Sequence, residues 1–70
     1  MKYQIKVHGI VDPSWSDWFN GMDVSLETET DVDCVTSLTG CVGDQATLRG
    51  ILNKLWDLNL TILSVILVEA

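Results

Sequence analysis

Basic side chains are scarce in this chain. Lys2, Lys6, Arg49 and Lys54 are the whole complement against ten Asp and Glu, for a formal net charge of −6. A nucleic-acid-binding surface needs clustered Lys and Arg to neutralise phosphates, and so does a surface that docks on anionic lipid. Four cations spread along the chain argue against both, and the excess negative charge serves solubility. Cysteine is nearly as rare. Cys34 and Cys41 are the only two, too few for a disulfide scaffold and without a CxxC spacing. Long apolar runs are missing as well, since residues 60–68 cover about half of what a bilayer-spanning helix needs. The first eleven residues alternate polar and apolar side chains rather than forming a continuous apolar segment, so a signal peptide is not expected. A cytoplasmic protein with free thiols is the expectation.

What is present is a core. The 70 residues are 47% hydrophobic and include three tryptophans, which suits one packed domain over 1–70 and is too apolar for disorder. So short a chain buries only about 60% of its unfolded surface, so its stability margin is thin.

Periodicity divides the chain into six elements. Residues 2–8 alternate, with Tyr3, Ile5 and Val7 on one face and Lys2, Gln4, Lys6 and His8 on the other, a strand with one wet side. Asp12 suits an N-cap and Pro13 a first helical position. Trp15, Trp18, Phe19 and Met22 then fall at i, i+3, i+4 and i+7, which predicts a two-turn helix over 13–20 with Gly21 as its stop. Residues 23–30 and 32–39 are rich in Val, Thr and Leu around a polar turn near Asp31, a hairpin. Val24 and Leu26 face inward on its first strand. Cys34, Thr36 and Leu38 do so on its second, with Val35 competing. Residues 40–43 read as a loop. Asp44 caps a helix running to Leu58, with Leu48, Ile51, Leu52, Leu55 and Leu58 as its stripe and Asn59 ending it. Gly50 inside that helix suggests close packing on the sheet. Residues 60–68 form the last strand, with Leu63, Val65 and Leu67 on one face and Ile62, Ser64, Ile66 and Val68 on the other. The order β-α-β-β-α-β predicts an α+β ferredoxin-like βαββαβ fold, a four-stranded antiparallel sheet with both helices on one face.

No group of residues makes a convincing site. His8 is the single histidine and reads as a surface side chain. Cys34 and Cys41 are too far apart in sequence for a usual zinc pair, and with His8 they supply three ligands where four are needed, so no metal or cofactor is expected. Glu27, Glu29, Asp31 and Asp33 share one parity without matching a calcium loop, and read as charges that protect a hairpin from aggregation. Trp15, Trp18 and Phe19 read as core rather than as a ligand pocket. Gly40 and Gly43 are too small a fragment for a phosphate loop. Trp56 falls off its helix's stripe and is a candidate contact residue. The opening strand with His8, Gly9, Ile10 and Val11 weakly resembles acylphosphatases, yet the phosphate-binding arginine of that family is missing, since no arginine lies between Lys6 and Arg49.

The segments Asp12-Pro13-Ser14-Trp15-Ser16-Asp17-Trp18-Phe19, Asp44-Gln45-Ala46-Thr47-Leu48-Arg49-Gly50-Ile51-Leu52 and Asp57-Leu58-Asn59-Leu60-Thr61-Ile62-Leu63-Ser64-Val65 resemble those of a group of short stand-alone bacterial proteins of uncharacterised function. The resemblance implies a bacterial, cytoplasmic protein and carries over no site residues. Apolar side chains on both faces of the last strand, with helices shielding one, favour a non-catalytic association module. It would act as a homodimer or dock on a larger protein through Ile62, Ser64, Ile66, Val68 and Trp56. The alternative is a small-molecule sensor of ACT-like type, on fold analogy. A small enzyme, with Asp17, His8 and Cys41 as first residues to test, stands third.

Overall fold

The computed structural model describes residues 1–29 and 34–70. The turn near Asp31, the carboxylates of Asp31 and Asp33, and the side chains of Thr28 and Glu29 lie outside the described part. The elements are β1 (Lys2–His8), a 3-10 helix η1 (Pro13–Phe19), β2 (Asp23–Glu29), β3 (Cys34–Cys41), α1 (Gln45–Asp57) and β4 (Thr61–Glu69). The strands form one antiparallel sheet in the order β2-β3-β1-β4. The expected sheet is therefore present, but the ferredoxin-like βαββαβ assignment is overturned. α1 is the single α-helix among the described residues, and the first crossover is the seven-residue 3-10 helix.

Local chemistry explains why that crossover is not α-helical. Ser14, Ser16 and Asp17 are poor helix formers. The Asp12 carboxylate accepts from the Ser14 N–H at 2.9 Å, while the Asp12 carbonyl accepts from the Trp15 N–H at 3.0 Å, the i→i+3 bond of a tight turn. Asn20, in the left-handed region at φ 59°, ends the segment. With three residues per turn, positions i and i+3 eclipse. Trp15 and Trp18 therefore stack on one outer ridge, edge to face at 6.0 Å, both more than 40% exposed, while Phe19 turns into the core. The four-residue stripe read from a 3.6 period does not exist. Only Phe19 and Met22 of it are buried.

The core lies between one sheet face and the two helical segments. Tyr3, Ile5 and Val7 of β1 and Leu38 of β3 meet Phe19, Met22, Leu48, Ile51 and Leu55. Thr36 is also fully buried on this face. Its hydroxyl donates to the Gly9 carbonyl at 2.6 Å and accepts from the Val11 N–H at 3.4 Å, tying the β1–η1 connection to the sheet. Residues 40 and 41 belong to β3 rather than to a loop, because β1 pairs with β3 as far as Lys2 opposite Cys41. Asp44 caps α1 by accepting from the Thr47 N–H at 2.8 Å, and Asn59 beyond its end is left-handed at φ 63°. A Cβ at Gly50 would meet nothing within 4 Å, so this glycine does not permit close packing on the sheet.

Candidate functional site

The last strand departs most from its sequence pattern. Its register against β1 shifts twice. Ser64 lies opposite Lys6 but Ile62 opposite Val7, leaving Leu63 extra, and Leu67 lies opposite Tyr3 but Glu69 opposite Lys2, leaving Val68 extra. An inserted residue reverses the facing of every side chain beyond it. Ile62, Val65 and Leu67 consequently share the helix side with Val7, Ile5 and Tyr3, while Ser64 and Ile66 share the open face with Lys6 and Gln4. The open face as a whole is polar. Gln4, Lys6, Ser37 and Thr39 run across its centre, and Lys6 pairs with Glu27 at 3.2 Å. Much of the exposed apolar surface therefore lies along the edge strand β4, with Ile66 of it on the open face.

Several features converge at that edge. β4 pairs with β1 on one side only. Val65 and Leu67 remain 39% and 49% exposed although they face the helix side. The position of α1 explains this. Its Leu48, Ile51 and Leu55 pack with β1, and the Gln45 side-chain amide donates to the Tyr3 hydroxyl of β1 at 2.7 Å. The helix thus meets β1 at Tyr3 and also contacts β4, yet leaves Val65 and Leu67 partly exposed. On its other flank, Lys54 donates to the Trp18 carbonyl at 2.7 Å and sits 5.5 Å from the Trp18 ring centroid, so that flank faces η1. The opposite flank of α1 carries Gln45, Arg49, Leu52 and Trp56. These residues line an open groove of about 590 Å³.

Of the residues singled out from sequence, Ile62 is half-buried against the core, Ser64 is half-buried on the open face, and Ile66, Val68 and Trp56 are exposed. Arg49 and Gln45 were missed, whereas Leu52, read as part of the inward stripe, packs against the core and lines the groove as well. Together with Leu52 and Trp56 they form a second stripe, at spacings of four, three and four, beside the inward one. His8 and Cys41 lie at opposite ends of the sheet, opposite Val35 and Lys2 respectively, and Asp17 is on η1 on the helix side. The three do not converge. Cys34 and Cys41 cap the two ends of β3 as free thiols, roughly 23 Å apart at strand rise. Among the described residues no three His, Cys, Asp or Glu stand close enough to hold a metal ion. No described helix is long and apolar enough to cross a membrane. A second cleft, of about 340 Å³, is lined by Trp15, Trp18 and Leu58.

Fold and surface together define a small α+β domain with one antiparallel sheet, one face covered and one apolar edge open. The chain belongs to a family described as a domain of unknown function, DUF8691, whose model matches residues 2–66. No curated protein and no solved structure matches it.

Proposed function

We propose that this domain is a non-catalytic association module that pairs with a second copy of itself through β4. The observation that carries the reading is the exposed, apolar edge strand itself. Among the described residues its outer edge pairs with no strand, and five of its side chains, Leu63, Val65, Ile66, Leu67 and Val68, are large, apolar and exposed. Monomers normally blunt such an edge with charge, proline or a covering loop, and from Ile62 to Val68 β4 carries no charge and no proline. A strand paired antiparallel with its own copy generates a closed two-fold dimer, which needs no second kind of surface. With Trp56, these side chains expose on the order of 500 Å² per copy, or about 1,000 Å² for a pair, the threshold for specific association.

The small-molecule-sensor alternative has less behind it. The Trp15–Trp18–Leu58 cleft has no set of polar groups converging on it to orient a ligand.

Sedimentation equilibrium from about 1 to about 300 μM tests the proposal, because that range brackets the affinities expected of an interface this small. The expected result is a monomer–dimer equilibrium that Ile66→Lys shifts to monomer, since the ammonium groups of two copies meet near the two-fold axis. Far-ultraviolet circular dichroism of the variant should match the parent, because Ile66 is half-exposed on the open face. A parent chain that stays monomeric at the top concentration removes the proposal.

A further inference from the structure

We infer that two copies join with Ile66 on the two-fold axis, so that Ile66 faces Ile66 and each Val65 faces the partner's Leu67. This rests on the β4 pairing proposed above and gives that pairing its register.

Parity limits the choices. Residues directly opposite each other in an antiparallel pair point to the same face of the sheet. Between the extra residues Leu63 and Val68, the run Ser64, Val65, Ile66 and Leu67 alternates without interruption against Lys6, Ile5, Gln4 and Tyr3. Val65 and Leu67 lie on the helix side, and Ser64 and Ile66 on the open face. A joint whose axis fell between Val65 and Ile66 would set these two against each other although they point to opposite faces, which breaks the shared pleat. One residue must therefore meet its own copy on the axis. With a regular neighbour needed on either side, that residue is Val65 or Ile66.

Side-chain chemistry decides between them. With Val65 on the axis, Ile66 of each copy faces the Ser64 hydroxyl of the other, and Leu67 meets the irregular position at Leu63. With Ile66 on the axis, Val65 and Leu67 face each other twice on the helix side and Ile66 meets Ile66 on the open face. Every pair in the regular run is then apolar, and cross-strand side-chain pairs are what stabilise a sheet. Val65, Ile66 and Leu67, all exposed in the single chain, are covered together.

The opposite edge of the sheet agrees with a closed pair. β2 is the other outer strand. Its ladder with β3 shifts between Leu26 and Thr28, leaving Glu27 extra, and the Glu27 carboxylate is held by Lys6. A bulge and a charge on an edge resist strand addition. Joining β4 to the β2 of another copy, which would run on as an open filament, is thereby disfavoured.

Two measurements on the full chain test the register apart from the pairing beneath it. The first uses single cysteines in a Cys34→Ser, Cys41→Ser background. Opposite residues lie about 4.5–5.5 Å apart at Cα, within disulfide reach, whereas diagonal ones at about 7–8 Å are beyond it. Under mild oxidation with copper phenanthroline in air, Ile66→Cys is expected to form a disulfide dimer about tenfold faster than Val65→Cys or Leu67→Cys alone, and an equal mixture of these two to cross-link faster than either. The second keeps the native cysteines and compares Val65→Lys, Leu67→Glu and their equal mixture by sedimentation equilibrium. The mixture should dimerise about fivefold more tightly than either variant alone, because the ammonium of one chain then faces the carboxylate of the other. Faster self-cross-linking by Val65→Cys, with no gain on mixing the charged variants, overturns the register and leaves the β4 pairing standing. A parent chain that stays monomeric overturns both. If the serine background unfolds, the charged variants alone decide.

Discussion

Two glycines make opposite predictions from the same substitution. Gly50 lies in the interior of α1, where glycine costs about 1 kcal/mol relative to alanine through the freedom of the unfolded chain. A Cβ there meets open space within 4 Å, so no packing term offsets the gain. Gly50→Ala should stabilise by about 0.8–1 kcal/mol, which for a domain of this size raises Tm by roughly 4–8 °C. Gly40, in β3, is the converse. A Cβ there would stand 3.1 Å from both Cα and Cγ of the buried Met22, closer than ordinary contact. Because one of those atoms is backbone, the turn after η1 must shift, and overpacking of this kind costs about 1–3 kcal/mol. Thermal unfolding followed by circular dichroism at one fixed protein concentration measures both, the fixed concentration removing any contribution from association. Gly50→Ala without a gain, or Gly40→Ala at parental Tm, would refute the packing around these positions.

Other consequences are more briefly put. Thr36→Val should destabilise by about 1–3 kcal/mol in chemical denaturation, because it strands the part-buried Gly9 carbonyl and the buried Val11 N–H without altering side-chain volume much; a neutral result would remove the hydroxyl from the account of how the β1–η1 connection is held. The caps set the acid response. The Ser14 N–H holds the Asp12 carboxyl, and the Thr47 N–H the Asp44 carboxyl, below the ordinary value of 3.8. A depressed folded-state value gives stability that is complete above the unfolded value and lost as pH falls through the folded one. Stability should therefore decline below about pH 4, and Asp44→Asn, which keeps an acceptor without a titrating group, should flatten the decline; an unchanged profile would contradict the cap's role. Finally, each copy carries a charge of −6, so self-association should tighten between about 20 and 300 mM salt as that repulsion is screened. Dissociation constants that rise with salt would point to an interface held by charge instead of apolar contact.

Much of the fold was legible because its signals are local. The alternation of Tyr3, Ile5 and Val7, the cap at Asp44, the left-handed stop at Asn59 and the inward facing of Thr36 and Leu38 each depend on a few neighbouring residues. What failed depends on geometry that sequence does not carry. Trp15, Trp18 and Phe19 fit a 3.6-residue period, but the segment winds with three residues per turn, which sends both tryptophans outward and only the phenylalanine inward. In β4 the alternation is real, yet the extra residues at Leu63 and Val68 are invisible until β1 is laid beside them, and each reverses the facing of its successors. That reversal moved much of the candidate surface from the open face to the edge. Gln45 and Arg49 escaped notice because the inward stripe on α1, which includes Leu52, already accounted for burial, and a groove along the helix's other flank is visible only in three dimensions.

The position of β1 in the middle of the sheet also bears on how the chain acquires its structure. Its partner on one side is β3 and on the other β4, whose paired residues are roughly sixty positions away along the chain. The strand that precedes the other three along the chain is thus the last to be enclosed. Until β4 arrives, the apolar row of Tyr3, Ile5 and Val7 borders an unpaired flank, and any nascent chain halted short of Thr61 presents that flank to chaperones or to other unfinished chains. Folding of this domain should accordingly be slow for its size and sensitive to truncation from its C-terminal side, even where the residues removed touch little of the core.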